Sequence, residues 1–336
     1  MKNVDIKNRF LKYYESNGHK ISAEAPLVAN YDDSIMFTIA GMCQFKHCFT
    51  GDKQPEHQLV TTAQTCIRTN DLDIIGTSNT HLSSFTMLGN FSFGALSKEE
   101  ACDLALDFLV EEMELDIGRL TISCHKDDQE TYQIWESLGV TPCSLFLMGD
   151  DDNFWSMGET GPRGYCTEIH YDGMEIWNLV FMDRDEKGNK LPFLGIDTGM
   201  GLERLAMIMQ HKESVFETDC FEELHESLKV MDHIRTANRL IAEGVVSSSK
   251  GEGYVLRKLI REAYNIDPEV VIDKGEIKSY KATIKKLAKV LKKNPNLTAF
   301  SLRTTYGIPL DLIKEKTDFN EEEYDQMMKQ HKEDSK

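Results

Sequence analysis

The chain has 336 residues, 40% hydrophobic and 28% charged, which is the composition of a soluble globular protein with room for one large domain or two smaller ones. Its net charge of −18 argues against non-specific nucleic-acid binding, so a nucleic-acid partner needs a local basic surface. There is no apolar run of about 18 residues, no signal-peptide core at the start, and no CxxC pair among the eight cysteines, so a cytoplasmic protein with buried thiols and no membrane contact is expected.

Residues 4–17 place Val4, Phe10, Leu11 and Tyr14 at helical spacing, with Gly18 as the stop. Segment 34–42 reads as a strand ending at a glycine, and 60–68 as a second strand ending in Arg68. A polar loop leads to a returning strand, 81–94, that carries Phe85. An arginine and an aromatic on adjacent antiparallel strands can grip a nucleotide, guanidinium on phosphate and ring on base. An exposed arginine beside a core phenylalanine fits the same residues equally well. Ser97 and Glu100 form a capping box that starts a helix running to about residue 113. A short strand, 120–124, and a helix, 129–138, follow, the latter ending at Gly139.

Block 152–168 holds Gly158, Gly161 and Gly164 around Pro162, a constrained loop flanked by Trp155 and Glu168. Cys166 and His170 come closest to metal-ligand spacing, but two ligands do not make a site. Segment 174–182 is strongly strand-like and puts Asn178 and Val180 on one face. After a charged turn comes Ile196-Asp-Thr-Gly-Met-Gly-Leu-Glu-Arg204, read as a strand end, a glycine turn and the start of a helix. Asp197 suits an ammonium group, Arg204 a phosphate or a ring face, and Gly199 and Gly201 permit close backbone approach. Clustered strands and short turns favour an α+β domain around an antiparallel sheet. Beyond residue 213 the pattern is helical, in segments 214–231, 232–243, 252–265, 276–293 and 319–332. Residues 274–293 carry eight lysines, and Arg257 and Arg261 share a helix face. Such a run is usually a solvated face and otherwise a nucleic-acid surface.

Taken in order, these blocks resemble the catalytic part of a class II aminoacyl-tRNA synthetase of the alanyl type. The matching stretches are Phe37-Thr-Ile-Ala-Gly-Met-Cys-Gln-Phe-Lys46, Thr61-Thr-Ala-Gln-Thr-Cys-Ile-Arg68, Asn70-Asp-Leu72, Met87-Leu-Gly-Asn-Phe-Ser-Phe-Gly94, block 152–168, Glu175-Ile-Trp-Asn-Leu-Val-Phe-Met182, 197–204, Asp232-His-Ile-Arg235 and Gly253-Tyr-Val-Leu-Arg257. The resemblance implies a six- or seven-stranded antiparallel sheet flanked by helices over residues 1–215. An all-helical domain for the tRNA acceptor stem is implied over 216–336. It implies ATP and magnesium as cofactors, with alanine and tRNA(Ala) as partners. By the same resemblance, Arg68 binds the α-phosphate and the substrate carboxylate, and Phe85 stacks on adenine. Arg204 covers the other adenine face and reaches the γ-phosphate, Asp197 holds the alanine ammonium, and Trp155 and Val180 wall the methyl pocket with Asn178 and Gly199 beside it. Arg235, Arg257, Lys258 and Arg261 are the implied tRNA contacts.

The departures are specific. The family continues into an editing domain with a zinc cluster and a C-terminal dimerising part, and the chain ends at Lys336. No zinc, no editing in cis and a monomer are therefore expected. Ala29 stands where a proline follows Leu-Val, the loop after Arg68 lacks a Gly-Lys-His insert, and Thr86 replaces a glutamate. The asparagine and aspartate that read an acceptor-stem G·U pair fall at Ser249-Lys-Gly-Glu252 and Thr304, which implies weak dependence on that pair. Thr86 and the absent stem-reading residues leave room for a synthetase-like regulatory or RNA-binding protein. An alanine-adenylating enzyme with a non-tRNA acceptor also fits. Arg68, Asp197 and Arg204 together favour an enzyme.

Overall fold

A computed structural model describes residues 1–158, 161–221 and 224–334. Residues 159 and 160 of the glycine-rich block lie outside the described residues. The chain forms two compact units, Met1–Leu256 and Arg257–Lys336, the division falling inside the helix Gly251–Ile266.

The first unit is built on a sheet that, among the described residues, has nine strands. These are β1 (Lys20–Ile21), β2 (Leu59–Ile67), β3 (Ser84–Phe93), β4 (Leu120–His125), β5 (Leu145–Met148), β6 (Phe154–Ser156), β7 (Arg163–Tyr171), β8 (Met174–Arg184) and β9 (Lys190–Gly201). Their order is β1-β2-β3-β9-β8-β7-β4-β5, with β6 beside β7. The six central strands pair antiparallel, as expected, whereas β1 runs parallel to β2 and β5 parallel to β4. The sheet is therefore mixed and wider than the expected six or seven strands. The added strands have two to four residues, too few to show an alternating pattern.

Alternation across the pleat gives the sheet two different faces. Leu88, Ile122, Trp177, Leu179, Ile196 and Met200 point to one side, where they pack with Ile6, Phe10 and Tyr14 of the helix Asn3–Ser16 and Ala101 and Ala105 of the helix Lys98–Asp107. Phe10, Phe108 and Trp177 meet there with ring centroids 5.3 to 5.8 Å apart. Each of these rings buries a large apolar surface, and their tilted and edge-on contacts add to it. Ser97 and Glu100 make the expected capping box. The opposite face carries a smaller cluster around Met42, Phe49, Phe91, Phe93, Val180 and Met182, and beside it an open cleft.

Three sequence expectations give way. Segment 34–42 makes only the isolated bridge Val28↔Phe37 before a 3-10 turn, Gly41–Phe45. Its backbone groups are taken singly, Thr38 N–H donating to Leu27 and Ile67 N–H donating to Thr38, so no ladder forms. The expected glycine turn after Ile196 is absent: β9 runs to Gly201 and the helix Leu202–Met209 begins at the next residue. Segment 214–231 holds a short 3-10 turn, Val215–Glu217, and the helix starts only at Leu228, capped by Ser227. Val215, Phe216 and Phe221 fill a local core with Leu82 and Met231 rather than forming a helical stripe.

In the second unit the helices Lys274–Lys293, Ala299–Thr304, Leu310–Lys316 and Glu321–Asp334 follow one another. Tyr280, Leu287, Leu302, Ile308, Leu312 and Ile313 form their core. Among the described residues no helix is long and apolar enough to cross a membrane. Six of the eight cysteines are buried, Cys220 is half-buried and Cys143 is exposed.

Candidate active site

The cleft measures roughly 400 Å³, and eight of the sequence-predicted residues line it: Arg68, Phe85, Trp155, Asn178, Val180, Asp197, Gly199 and Arg204. Strand register explains the convergence. Val180 lies opposite Asp197 and Asn178 opposite Gly199 across β8 and β9, so period-two alternation aims all four at the same side. Cys66 pairs with Phe85 across β2 and β3, which sets Arg68, two residues on, near that ring. The Arg68 guanidinium lies 5.2 Å from the Phe85 centroid and donates to the Ile39 carbonyl at 3.3 Å.

Asp197 is the electrostatic centre. It is 5% exposed, and among the described residues no hydrogen bond or ion pair reaches its carboxylate. Burial alone pushes its pKa up to about 7. A buried carboxylate without a counter-charge is a strong attractor for a cation. Asn178, which also lines the cleft, holds its Oδ1 buried without a hydrogen-bond partner. Gly199 serves close packing: a Cβ there would stand 2.7 Å from Met87 Sδ.

Arg204, in the first turn of the helix Leu202–Met209, donates to the Glu175 carbonyl at 2.7 Å and to its carboxylate at 2.9 Å. Glu168 receives His170 Nε2 at 3.2 Å. Glu175, Glu168, Met87, His81 and Glu203 also line the cleft without having been singled out for a role. Strand alternation places Glu168 on this face, but nothing local in sequence marks Glu175 as the partner of Arg204.

The residues expected to meet tRNA are differently placed. Arg235 pairs with Glu203 and lies 4.6 Å over the Phe221 ring. In the second unit Arg261 is 6% exposed, pairs with Glu276 at 2.7 Å and stacks on Tyr280 at 4.7 Å. Both are held in internal contacts. Arg257 and Lys258 are half-buried, with Lys258 Nζ 3.7 Å from Glu262. Among the described residues no group of three or more His, Cys, Asp or Glu side chains is gathered as a metal cage.

Residues 5–290 match the family described as tRNA synthetases class II (A). An alanine--tRNA ligase of Wolbachia pipientis wMel is 37% identical over 418 aligned positions, covering 99% of this chain and 48% of that protein. An alanine--tRNA ligase of Legionella pneumophila (strain Corby) is 37% identical over 425 positions, covering 100% and 49%. A third, from Halorhodospira halophila, is 41% identical over 316 positions, covering 81% and 37%. The chain spans about half the length or less of these relatives. The 418-position alignment is longer than the chain itself, so the relative carries segments inside the matched region that this chain lacks.

Proposed function

The chain belongs to the tRNA synthetases class II (A), and from that membership we propose that it joins alanine to tRNA(Ala) through alanyl-adenylate. The observation that carries the proposal is the convergence of an uncompensated, buried Asp197 with Arg68, Phe85 and Arg204 in one cleft.

In the first step an alanine carboxylate oxygen attacks the α-phosphorus of ATP, the bond to the β-phosphate oxygen breaks, and pyrophosphate leaves. Such in-line transfer needs positioning and charge neutralisation more than a dedicated base. Asp197 anchors the alanine ammonium, and Val180, Trp155 and Gly199 confine its methyl group. Arg68 faces the reacting phosphate, Phe85 carries the adenine, and Arg204 leaves Glu175 to cover the nucleotide. Magnesium bound largely through phosphate oxygens needs only one or two carboxylates. Glu168 and Glu175 are the cleft side chains that would hold it, and its charge would offset that of the phosphates. In the second step the 3′-terminal ribose hydroxyl takes the alanyl group from the adenylate. We assign adenylation to residues 1–215 and acceptor-stem contact to 216–336, with weak dependence on the G·U pair.

Alanine-dependent ATP–pyrophosphate exchange, run beside alanylation of an acceptor-stem minihelix, tests this. Both activities are expected. Absence of exchange would refute the catalytic assignment. Minihelices differing only in G·U against G·C at that pair should be charged at similar rates, and a loss of more than about a hundredfold with G·C would refute the weak dependence. One observation favours a second reading, adenylation of alanine for another acceptor: Arg235 and Arg261 are held in internal ion pairs. Exchange without charging would support it.

A further inference from the structure

Phe85 belongs to a stretch of β3 that lacks a strand on one side. β2 pairs with β3 along its whole length, from Ser84↔Ile67 to Ser92↔Leu59. β9 reaches β3 only from Met87↔Gly201 onward, because the chain turns into a helix after Gly201. Residues 83–86 therefore have no ladder partner on that side, and their polar groups need another one.

Two buried carboxylates take that place. Glu203, 1% exposed, accepts the Thr86 N–H with both oxygens, at 3.1 and 3.0 Å. Asp232, also 1% exposed, accepts the Ser83 N–H at 2.8 Å and the Ser83 hydroxyl at 2.5 Å. Between them Ser84 Oγ receives Thr236 Oγ1 at 2.9 Å and Arg239 at 3.1 Å. Arg235 pairs with Glu203 and supplies the charge that permits its burial. The backbone on both sides of Phe85, the 82–83 peptide before it and the 85–86 peptide after it, is thus fixed by side chains of two helices, while its ring lines the cleft beside Arg68.

We propose that Glu203 and Asp232 are positioning residues for the purine base of the nucleotide, acting by fixing the backbone on either side of Phe85. The proposal rests on the assignment of ATP to this cleft. The two carboxylates replace a missing β-strand at the one place where the ring's attitude matters. Neither needs to touch the nucleotide to do so. Loss of either acceptor frees the backbone on one side of Phe85 and loosens the stacking platform, leaving the alanine pocket on β8 and β9 intact.

The test is a kinetic split. In ATP–pyrophosphate exchange, Asp232→Ala and Glu203→Ala are expected to raise the KM for ATP by at least about tenfold and to move the KM for alanine by less than about twofold. Glu203→Gln and Asp232→Asn each keep an acceptor oxygen and are expected to recover most of the loss. Equal changes in both KM values, or no change, would overturn the proposal. Because a buried-charge variant can fail to fold, Ser83→Ala provides a milder probe with the same predicted direction. A second readout needs no nucleotide: 4-fluorophenylalanine at position 85, observed by ¹⁹F NMR. Its resonance is expected to shift or broaden in the Glu203 and Asp232 variants. An unchanged resonance would overturn the positioning role even if exchange is slowed. A wild-type protein that binds no ATP while the resonance responds as expected would refute the ATP assignment instead.

Discussion

Asp197 carries opposite consequences for stability and for activity. Its folded-state pKa, about 7, lies above its ordinary value of 3.8, so the stability linked to the protonated form is present below pH 3.8 and is lost as pH rises through 7. At pH 8 the unliganded protein therefore holds an ionised, buried carboxylate at a cost on the order of 4 kcal/mol. Asp197→Asn is expected to melt at a higher temperature than the wild type at pH 8 while losing alanine activation by at least about a hundredfold. A variant that melts lower and still activates alanine would contradict both expectations. If Asp197 holds the alanine ammonium as proposed, binding requires the ionised carboxylate, so affinity should rise through pH 7 and level off above it, with proton release on binding below that point. Titration calorimetry in buffers of different ionisation heats measures that proton directly.

At the scale of elements, the join between the helix Asn3–Ser16 and β1 holds His19, which is 2% exposed and sits edge-on to Tyr14 with centroids 5.0 Å apart. Burial lowers its pKa from 6.5 to about 4. This group works against the folded state in acid: stability is full above pH 6.5 and falls as pH drops toward 4, by on the order of 3 kcal/mol. His19→Leu should flatten that acid limb in denaturant titrations at pH 4.5 and 7.5. An unchanged difference between the two pH values would count against it. Strands and caps with local signals were readable in sequence: β2, β3, β4 and β8, the Ser97 box and the Gly18 and Gly139 stops, both at positive φ, whereas β6 and β7 fall on the block read as a constrained loop. Elements defined by remote partners were not. The segment 34–42 looks like a strand because its residues suit one, yet its partners are single carbonyls and N–H groups. The helix Leu228–Ala242 carries Arg235, one of the expected tRNA contacts. Its Asp232, Arg235 and Thr236 grip residues 83, 84 and 203, contacts about 150 positions distant for the β3 pairs and invisible to local pattern.

For the whole molecule, charge separates the two proposed steps. The protein carries a net −18, while residues 274–293 concentrate eight lysines on one helix. If that helix contributes to holding an acceptor stem through phosphates, charging should fall steeply with salt, whereas alanine-dependent exchange should change little between 50 and about 200 mM salt. Parallel salt dependence of the two activities would place the lysines outside tRNA binding. The cleft itself was largely legible because it depends on alternation along strands and on ordered motif blocks: eight named residues share one surface. What sequence did not reveal is how the cations are occupied at rest, Arg204 by Glu175 and Arg235 by Glu203, since ion pairs between distant segments leave no periodic trace.

The two-faced sheet also limits how the gene can change length. On β9, Ile196 and Met200 belong to the aromatic core while Asp197 and Gly199 belong to the cleft. Inserting or deleting one residue in the strand would exchange the two sets, driving a carboxylate into the core and an isoleucine into the cleft. Insertions of two residues keep the parity. A deep insertion–deletion scan across 190–201 should therefore recover viable length variants mainly in steps of two or at the turn 185–189, a reading-frame rule imposed by geometry rather than by the code.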